Sequence, residues 1–320
     1  MIKKIYNNIN ELLQNSYHKG FFHLLSANIF IQISGFASQL LVSWLLTPKD
    51  IGIIKFLQTY SNLFSILATG GLNTAVLKLC SENREIDEKF LIYKTSLKYL
   101  FLFAFLAACC LSFLLFFNIL TNEIKIKYYF LAYKPIIFAV SYNSVQNCFL
   151  QALKKINLMS KAISISKLLM TILIILLTYF FLLDGYVIAT LLGSFLTLFI
   201  LSKNIKKISV PNVRNEKFPI KPIWYYSKYS LLANFAYTLL LSLDIIFLNI
   251  FIKDKNEIGY YSFALLVLVP YEVLRGTIIQ ITTPYFSEKG DDRNKVFSIF
   301  YKYQKLFVLG AFFITIISIF

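Results

Sequence analysis

Long apolar runs constrain this sequence more than any other feature. Runs of about 20 or more mostly apolar residues recur along a chain that is 58% hydrophobic, with a mean hydropathy of +0.65. A helix of about 20 residues crosses the hydrocarbon core of a bilayer. The runs are continuous, whereas the strands of a membrane barrel alternate apolar and polar residues. The sequence therefore predicts an all-α polytopic membrane protein.

Nine membrane spans are predicted, at about 21–46, 51–77, 99–120, 130–152, 162–183, 185–202, 229–251, 258–282 and 303–320. Of the 32 Lys and Arg residues, 23 fall in the N-terminus and the loops on its side, and 7 fall on the other side. Because cationic loops stay cytoplasmic, the N-terminus is predicted inside and the last residue outside. The net charge of +16 is thus a topology signal, and no nucleic-acid partner is expected.

The first 20 residues are polar and lack a small-residue cleavage site, so no removable signal peptide is expected. Apolar residues recur in them at helical spacing. This pattern leaves two interpretations open, an amphipathic helix on the inner leaflet and a frayed polar tail. The four cysteines lie in or beside spans without metal-like spacing, and they are expected to act as small apolar residues: Cys80, Cys109, Cys110 and Cys148.

A helical hairpin occurs twice in the chain, over about 21–80 and again over 228–287. The turn Asp50-Ile51-Gly52 of the first copy corresponds to Glu257-Ile258-Gly259, 207 residues later. Six spans separate the copies, so both start from the same side and the repeats are parallel. Two lobes that face each other across a path are therefore predicted.

The repeat divides the chain into four predicted segments. A cytoplasmic N-terminal segment covers 1–20, an N-lobe of six helices covers 21–202, a basic linker covers 203–228, and a partial C-lobe of three helices covers 229–320. A C-lobe that matched the first would need further helices. The sequence thus predicts a second bundle that is incomplete, as in a truncated reading frame.

Polar residues form stripes on several spans at the 3–4-residue spacing of one helix face. Such stripes fit two functions, hydrogen bonding between neighbouring helices and lining of a hydrated cavity. The amide-rich stripes of the first two spans favour the cavity. These stripes comprise Asn28, Gln32, Gly35 and Gln39 in the first span, and Lys55, Gln58, Asn62, Ser65 and Thr69 in the second.

Four ionisable residues lie within spans, where a charge costs about 2.5–3.5 kcal/mol unless it is paired or hydrated. The Lys55 side chain is long enough to place its ammonium group at the outer interface. Two interpretations therefore stay open, a side chain that reaches the interface and one that lines a cavity. Asp244 is deeper in its span and has a short side chain, so its position indicates that it lines a cavity or pairs with another residue. We hypothesise that Lys55 and Asp244, on opposite lobes, close an outer gate.

The other two charges, Glu272 and Arg275, are three residues apart on one helix face. They form either an internal ion pair or an anion-binding cation held in place by a carboxylate. Pro270 precedes them and is expected to bend the helix.

Catalytic signatures are missing from the sequence. It contains no GxxxxGK[ST] phosphate loop, no HExxH and no GxSxG. The two histidines, His18 and His23, lie near the predicted inner surface. Neither an enzyme nor a cofactor is expected.

The chain resembles the polysaccharide repeat-unit flippases, the O-antigen transporters of the multidrug/oligosaccharidyl-lipid/polysaccharide (MOP) exporter superfamily. Two segments carry this resemblance, ANIFIQISGFASQLLVSWLLTPKDIGIIKFLQTYSNLFSILATGGLNTAVLK and DIIFLNIFIKDKNEIGYYSFALLVLVP. The resemblance implies a V-shaped MOP/MATE-like fold of two six-helix bundles that opens alternately to either side. It implies an undecaprenyl-pyrophosphate-linked oligosaccharide as substrate and the bacterial inner membrane as location.

The resemblance also implies roles for individual residues. Substrate contacts would come from Lys55 and Arg275, with Lys167 as a third cation, and ion coupling from Asp244 and Glu272. The polar stripes add Gln32, Gln39 and Asn62 as substrate-binding candidates. Membrane lipids, a polysaccharide polymerase and a chain-length regulator are the implied partners.

Three other functions compete with the flippase. A cation-coupled multidrug exporter of the same superfamily would favour a cavity of acids and aromatics, whereas a pyrophosphate favours Lys and Arg. A membrane glycosyltransferase or polymerase would need larger external loops. A membrane protein that does not transport is the third alternative, raised by the incomplete second lobe.

Overall fold

The structure is a computed structural model, and it describes residues 38–208, 218–252 and 255–265 and the isolated positions 35, 279, 297, 301, 304 and 308. A helical stretch at 38–45 is followed by seven helices. They are α1 (Pro48–Thr69), α2 (Leu72–Ser81), α3 (Ile86–Phe116), α4 (Ile124–Ala152), α5 (Ile156–Lys207), α6 (Ile220–Phe251) and α7 (Lys255–Ala264). The predicted N-terminal segment, the ninth span and most of the first and eighth spans lie outside the described ranges.

The turn of the first hairpin is built by a helix cap. Thr47 precedes α1, and its hydroxyl accepts a hydrogen bond from the Asp50 amide at 3.2 Å. The Asp50 carboxylate accepts one from the Thr47 amide at 3.3 Å. Pro48 occupies the first position of the helix, where its missing N–H costs nothing. This capping box ends one span and starts the next within a few residues.

The second predicted span, 51–77, is broken into two helices rather than continuous. Gly70 and Gly71 have φ values of +61° and +72°, and they separate α1 from α2. Both values lie in the left-handed region, which glycine enters without steric cost. Hydropathy does not report backbone angles, so the apolar run gave no sign of the break.

α5 is a helical hairpin rather than a single rod. Leu182 has φ 52° and ψ −131°, which interrupts the helix near its middle. A Cβ added at Gly193 would lie 2.5 Å from the Cγ of Met170, so the two arms pack side by side. The interruption agrees with the predicted fifth and sixth spans, 162–183 and 185–202.

The surface of the described helices suits a lipid environment. Four of them are long and apolar enough, by length and composition, to cross a membrane: α1, α3, α5 and α6. Large apolar side chains such as Phe101, Phe105 and Phe116 are exposed along α3. The prediction of an all-α polytopic membrane protein is therefore confirmed.

The interior of the N-lobe consists of two buried clusters, one toward each end of the bundle. The cluster toward the predicted inner side centres on Leu72, Phe149 and Ile156. The cluster toward the predicted outer side centres on Phe56 and Phe130, whose rings meet edge to face at 5.6 Å. Cys80 is buried in the inner cluster, as expected of a small apolar residue.

Candidate functional site: a polar cavity between the lobes

A cavity of about 290 Å³ lies where α1, α2 and α4 of the N-lobe meet α6 of the C-lobe. Among the described residues, its walls carry amides, hydroxyls and small apolar groups, without a charged or aromatic side chain. The lining residues are Asn62, Ser65, Ile66, Thr69, Gly71, Asn73, Val140, Ser144, Asn234 and Thr238.

Several wall residues are held in place by hydrogen bonds. The Asn73 side-chain amide donates to Ser144 Oγ at 3.1 Å, which joins α2 to α4. The Asn234 amide donates to Ser230 Oγ at 3.1 Å along α6. Asn73 Oδ1 is buried and accepts no hydrogen bond from a described group. These hydrogen bonds thus hold the wall residues in place.

The polar stripe predicted on the second span serves both of the functions that the sequence left open. Asn62, Ser65 and Thr69 line the cavity. Gln58, one turn further out, donates to the Tyr186 hydroxyl at 2.8 Å and joins α1 to α5. On α4, the Gln146 amide donates to Ser202 Oγ at 2.7 Å and joins α4 to α5.

At the predicted outer side, the two copies of the hairpin turn pack against each other. A Cβ added at Gly52 would lie 1.7 Å from the Lys255 carbonyl oxygen, and one added at Gly259 would lie 2.5 Å from the Pro48 carbonyl oxygen. Gly52 and Gly259 are repeat equivalents, as are Pro48 and Lys255. The contact, which we call the outer contact, is therefore reciprocal, as expected when two parallel repeats meet about an approximate two-fold axis.

Lys255 strengthens the outer contact with its side chain. Its ammonium group lies 3.8 Å from the centre of the Phe56 ring on the other lobe and donates to the Asn249 side-chain oxygen. Burial lowers the pKa of Lys255 to about 8, and the nearby Glu123 opposes this shift. The group thus remains largely charged at neutral pH, and a cation over an aromatic face stabilises the contact between lobes. Lys255 is one of the seven Lys residues that the sequence places on the outer side, and its side chain is buried.

Between the outer contact and the cavity lie the two charges predicted to form a gate. Lys55 and Asp244 are within electrostatic range of each other. The direct ion pairs within the described ranges all lie at the inner turn: Lys78–Glu82, Arg84–Glu82 and Arg84–Glu88. Lys55 and Asp244 thus interact electrostatically, and no direct ion pair joins them among the described residues.

Asp244 is held by a residue that the sequence did not single out. Its carboxylate accepts a hydrogen bond from the Tyr261 hydroxyl on α7 and one from the Ile245 amide at 2.9 Å. Tyr261 is 17 residues away and lies on the next helix. The sequence alone does not show which side of α7 packs on α6, so it could not identify Tyr261 as the partner of Asp244.

At the predicted inner side, α6 packs against Gly71, where the second predicted span is broken. A Cβ added at Gly71 would lie 2.2 Å from the Ser227 carbonyl oxygen and 2.7 Å from the Leu231 nitrogen. Ile223 is buried in the inner cluster of the N-lobe, and Trp224 stacks on Phe103 with ring centres 5.9 Å apart. This inner contact borders the cavity through Gly71, and the outer contact lies further out along α1.

The other predicted site residues lie away from this cavity or outside the described ranges. Lys167 and Gln39 have exposed side chains and do not line it. Gln32, Glu272 and Arg275 lie outside the described ranges. Of the predicted substrate-binding residues, the structure places Asn62 in the cavity wall and Lys55 about 10 Å further out along α1, at the helical rise of 1.5 Å per residue.

Solved structures with a similar fold include MATE transporters. An outward-facing multidrug resistance MATE family transporter of the MOP superfamily shares 18% identity with a TM-score of 0.67, and the match covers 94% of this chain and 70% of that one. A MATE protein in complex with MaD5 gives 16% identity and a TM-score of 0.68, with 94% and 71% covered. A MATE protein in complex with Br-NRF shares 15% identity with a TM-score of 0.65, and the match covers 88% of this chain and 69% of that one. These likenesses establish the fold.

The family follows from the sequence itself. Residues 17–289 match the model of a family described as polysaccharide biosynthesis protein. A search of curated proteins found no match to the sequence. The chain therefore has a fold similar to that of MATE transporters, and its long apolar helices make it a multi-pass membrane protein. Because the match covers most of its length, the chain belongs to the polysaccharide biosynthesis protein family.

Proposed function

We propose that this protein is a flippase that moves undecaprenyl-pyrophosphate-linked oligosaccharide repeat units across the bacterial inner membrane by alternating access. The proposal rests mainly on the polar cavity between the lobes, together with the two places where a glycine meets the facing backbone, at Gly71 beside the cavity and at Gly52 further out. A glycan needs hydrogen-bonding walls within the bilayer, and a moving gate needs interfaces that separate without unfolding a helix. The match to a polysaccharide biosynthesis family supports the same substrate class.

In this mechanism the lobes part at one end while they stay closed at the other. Separation of α1 from α7 would release the glycan outward, and separation of α2 from α6 would admit it from the inner side. Lys55 and Arg275, with Lys167 as a third candidate, would meet the pyrophosphate, and Gln32, Gln39 and Asn62 would meet the sugars. Asp244 and Glu272 would couple transport to an ion. A polymerase and a chain-length regulator would act on the product outside.

A multidrug exporter is the second candidate, because the similar solved structures include a multidrug resistance transporter. Drug cations favour acidic and aromatic walls, whereas the described cavity walls carry amides and hydroxyls. Complementation separates the two functions. We expect the chain to restore surface polysaccharide in a flippase-null strain and to leave dye efflux unchanged. Dye efflux without complementation would favour the exporter, and loss of both would favour a membrane protein that does not transport.

The same strain tests the pyrophosphate contact. We expect Arg275→Ala to reduce complementation by at least about 10-fold, since a hydrogen bond to a charged group contributes about 1.5–3 kcal/mol. Arg84→Ala is the matched control, because Arg84 pairs with Glu82 and Glu88 at the inner turn. Full activity of the Arg275 variant at equal expression would remove Arg275 from the site.

The Lys55–Asp244 gate is tested by charge exchange. We expect Lys55→Asp and Asp244→Lys each to open the outer side, because two like charges then face each other across the lobes. The double variant should close it again. The measurement is labelling of a cysteine at position 62 by an impermeant maleimide added outside, after replacement of the four native cysteines. A double variant that labels as fast as the single variants contradicts the gate.

A further inference from the structure

We propose that α3 and α6, at their ends on the predicted inner side, form a binding site for the headgroup of an anionic phospholipid, beside the inner contact between the lobes. Three lysines would hold the phosphate group, Lys98 on α3 and Lys221 and Lys228 on α6. None of the three lines the polar cavity. The site is therefore separate from that cavity, whichever substrate the chain transports.

The exposed face of α6 changes its chemistry along the helix. Its first turns carry a basic and aromatic stripe at the 3–4-residue spacing of one helix face, whereas Ile223 and Ser227 on the other side are buried. The same exposed face becomes apolar further along, at Leu232 and Ala236. Tryptophan, tyrosine and lysine anchor helices at the membrane–water interface, so the stripe marks the depth of the lipid headgroups. The exposed residues of the stripe are Lys221, Trp224, Tyr225, Lys228 and Tyr229.

The exposed face of α3 shows the same order of chemistry. Lys94 and Lys98 lie on its first turns, and both are exposed. Phe101 and Phe105 follow on the same face and are exposed as well. Because α3 and α6 both start from the predicted inner side, the two basic segments lie on the same side of the membrane. Anionic lipids give the cytoplasmic leaflet a negative surface potential, which attracts such segments.

An aromatic contact brings the two basic segments together. Trp224 of α6 stacks on Phe103 of α3, with ring centres 5.9 Å apart. At the helical rise of about 1.5 Å per residue, Lys221 lies about 4.5 Å toward the inner side of Trp224. Lys98 lies about 7.5 Å toward the inner side of Phe103. The two lysines are therefore at a similar depth on helices of different lobes, so that one headgroup can contact both lobes.

Lys228 adds a third cation, which aromatic rings hold at the surface. Its ammonium group lies 4.8 Å from the centre of the Tyr229 ring and 5.8 Å from that of the Tyr225 ring. The two rings meet edge to face with centres 5.5 Å apart. Because a cation is attracted to an aromatic face, the rings fix the position of this ammonium group. Its exposure leaves it within reach of a phosphate oxygen.

The positive charge of the site is not paired within the described residues. The ion pairs there involve Lys78 and Arg84 and none of the three lysines. α3 carries no acidic residue after Glu88, and α6 carries none before Asp244. Each lysine near a membrane surface strengthens the binding of anionic lipid by about 5-fold. The site therefore favours an anionic headgroup over a zwitterionic one.

The test uses the two tryptophans of the sequence, Trp44 and Trp224. The substitution Trp44→Phe leaves Trp224, inside the proposed site, as the only tryptophan. The full chain is reconstituted in bilayers of phosphatidylcholine mixed with phosphatidylglycerol whose acyl chains are brominated. Quenching of Trp224 fluorescence by bromine gives the affinity of the site for one lipid relative to the other. We expect phosphatidylglycerol to bind at least about 10-fold more tightly than phosphatidylcholine.

Charge removal in the same bilayers tests the three lysines. We expect Lys98→Gln, Lys221→Gln and Lys228→Gln each to reduce the preference for phosphatidylglycerol by about 5-fold. Lys161→Gln is the matched control, because Lys161 is exposed on α5 at the predicted inner side and its loss removes the same charge. All four side chains are exposed, so their substitution leaves the packing of the helices intact. Equal affinity for the two lipids, or an equal loss in the control variant, would overturn the inference.

Two competitors identify the source of the phosphate group. Inorganic phosphate at millimolar concentration should leave the quenching unchanged, and relief of quenching would show a site for any phosphate rather than for a phospholipid. A sugar-free polyprenyl pyrophosphate should relieve the quenching no better than unbrominated phosphatidylglycerol at the same mole fraction. Relief at a much lower mole fraction would assign the site to the proposed class of transported lipid and overturn the inference.

Discussion

Gly52→Val is expected to hold the outer ends of the lobes apart and to reduce transport by at least about 10-fold. The new Cβ would lie 1.7 Å from the Lys255 carbonyl oxygen, so the side chain and the α7 backbone cannot both keep their places. The clash is with the backbone of Lys255, which cannot rotate away as the end of a side chain could. We therefore expect α7 to move away from α1. The outer contact is lost while the inner contact remains.

Accessibility and transport measure this prediction together. After replacement of the native cysteines, a cysteine at position 62 should be labelled from outside several-fold faster in the Gly52→Val variant than in the chain that keeps Gly52. Gly35→Val is the matched control, because an added Cβ at Gly35 meets no atom of the described residues within 4 Å. Wild-type transport and labelling in the Gly52→Val variant would show that the outer contact does not gate the path.

Gly71→Ala is expected to lower the melting temperature more than Gly70→Ala does, although the two glycines are neighbours with similar backbone angles. Both changes place a Cβ on a left-handed residue, at a cost of about 1–2 kcal/mol. At Gly70 the new atom meets the side chain of Phe103, which can rotate. At Gly71 it meets the backbone of Ser227 and Leu231, so α6 itself must shift.

Thermal unfolding in detergent compares the two variants directly. Because the backbone cost is shared, their difference compares displacement of the α6 backbone with displacement of the Phe103 ring. We also expect transport to fall further in the Gly71→Ala variant. Equal melting temperatures would mean that displacement of the α6 backbone costs no more than displacement of the Phe103 ring, which would contradict the prediction.

The repeated turn predicted much of this fold because it combines several independent signals. Thr47 and Pro48 mark a helix start, and the equivalence of Gly52 with Gly259 implies two related hairpins. The structure adds that these two glycines meet, each against the backbone of the other copy. A repeat implies an approximate symmetry, but it does not say which residues lie on the axis.

The site was harder to predict because its geometry depends on contacts between lobes. Asn62 could be found from its place in a polar stripe, since a helix face is a local property of the sequence. The break at Gly70 and Gly71 was hidden within an apolar run, and the partner of Asp244 lies on another helix. Lys255 lies in a short polar segment between two spans, and the sequence does not show that its side chain packs against the Phe56 ring of the other lobe.

Alternating access requires α1 and α7 to part at their outer ends in every transport cycle. A reversible, disulfide-containing cross-linker between cysteines at the repeat-equivalent positions 49 and 256 tests it directly, in proteoliposomes loaded with a fluorescent lipid-linked oligosaccharide. We predict that cross-linking stops transport and that reduction restores it. Transport at the uncross-linked rate while the link is intact would contradict the account.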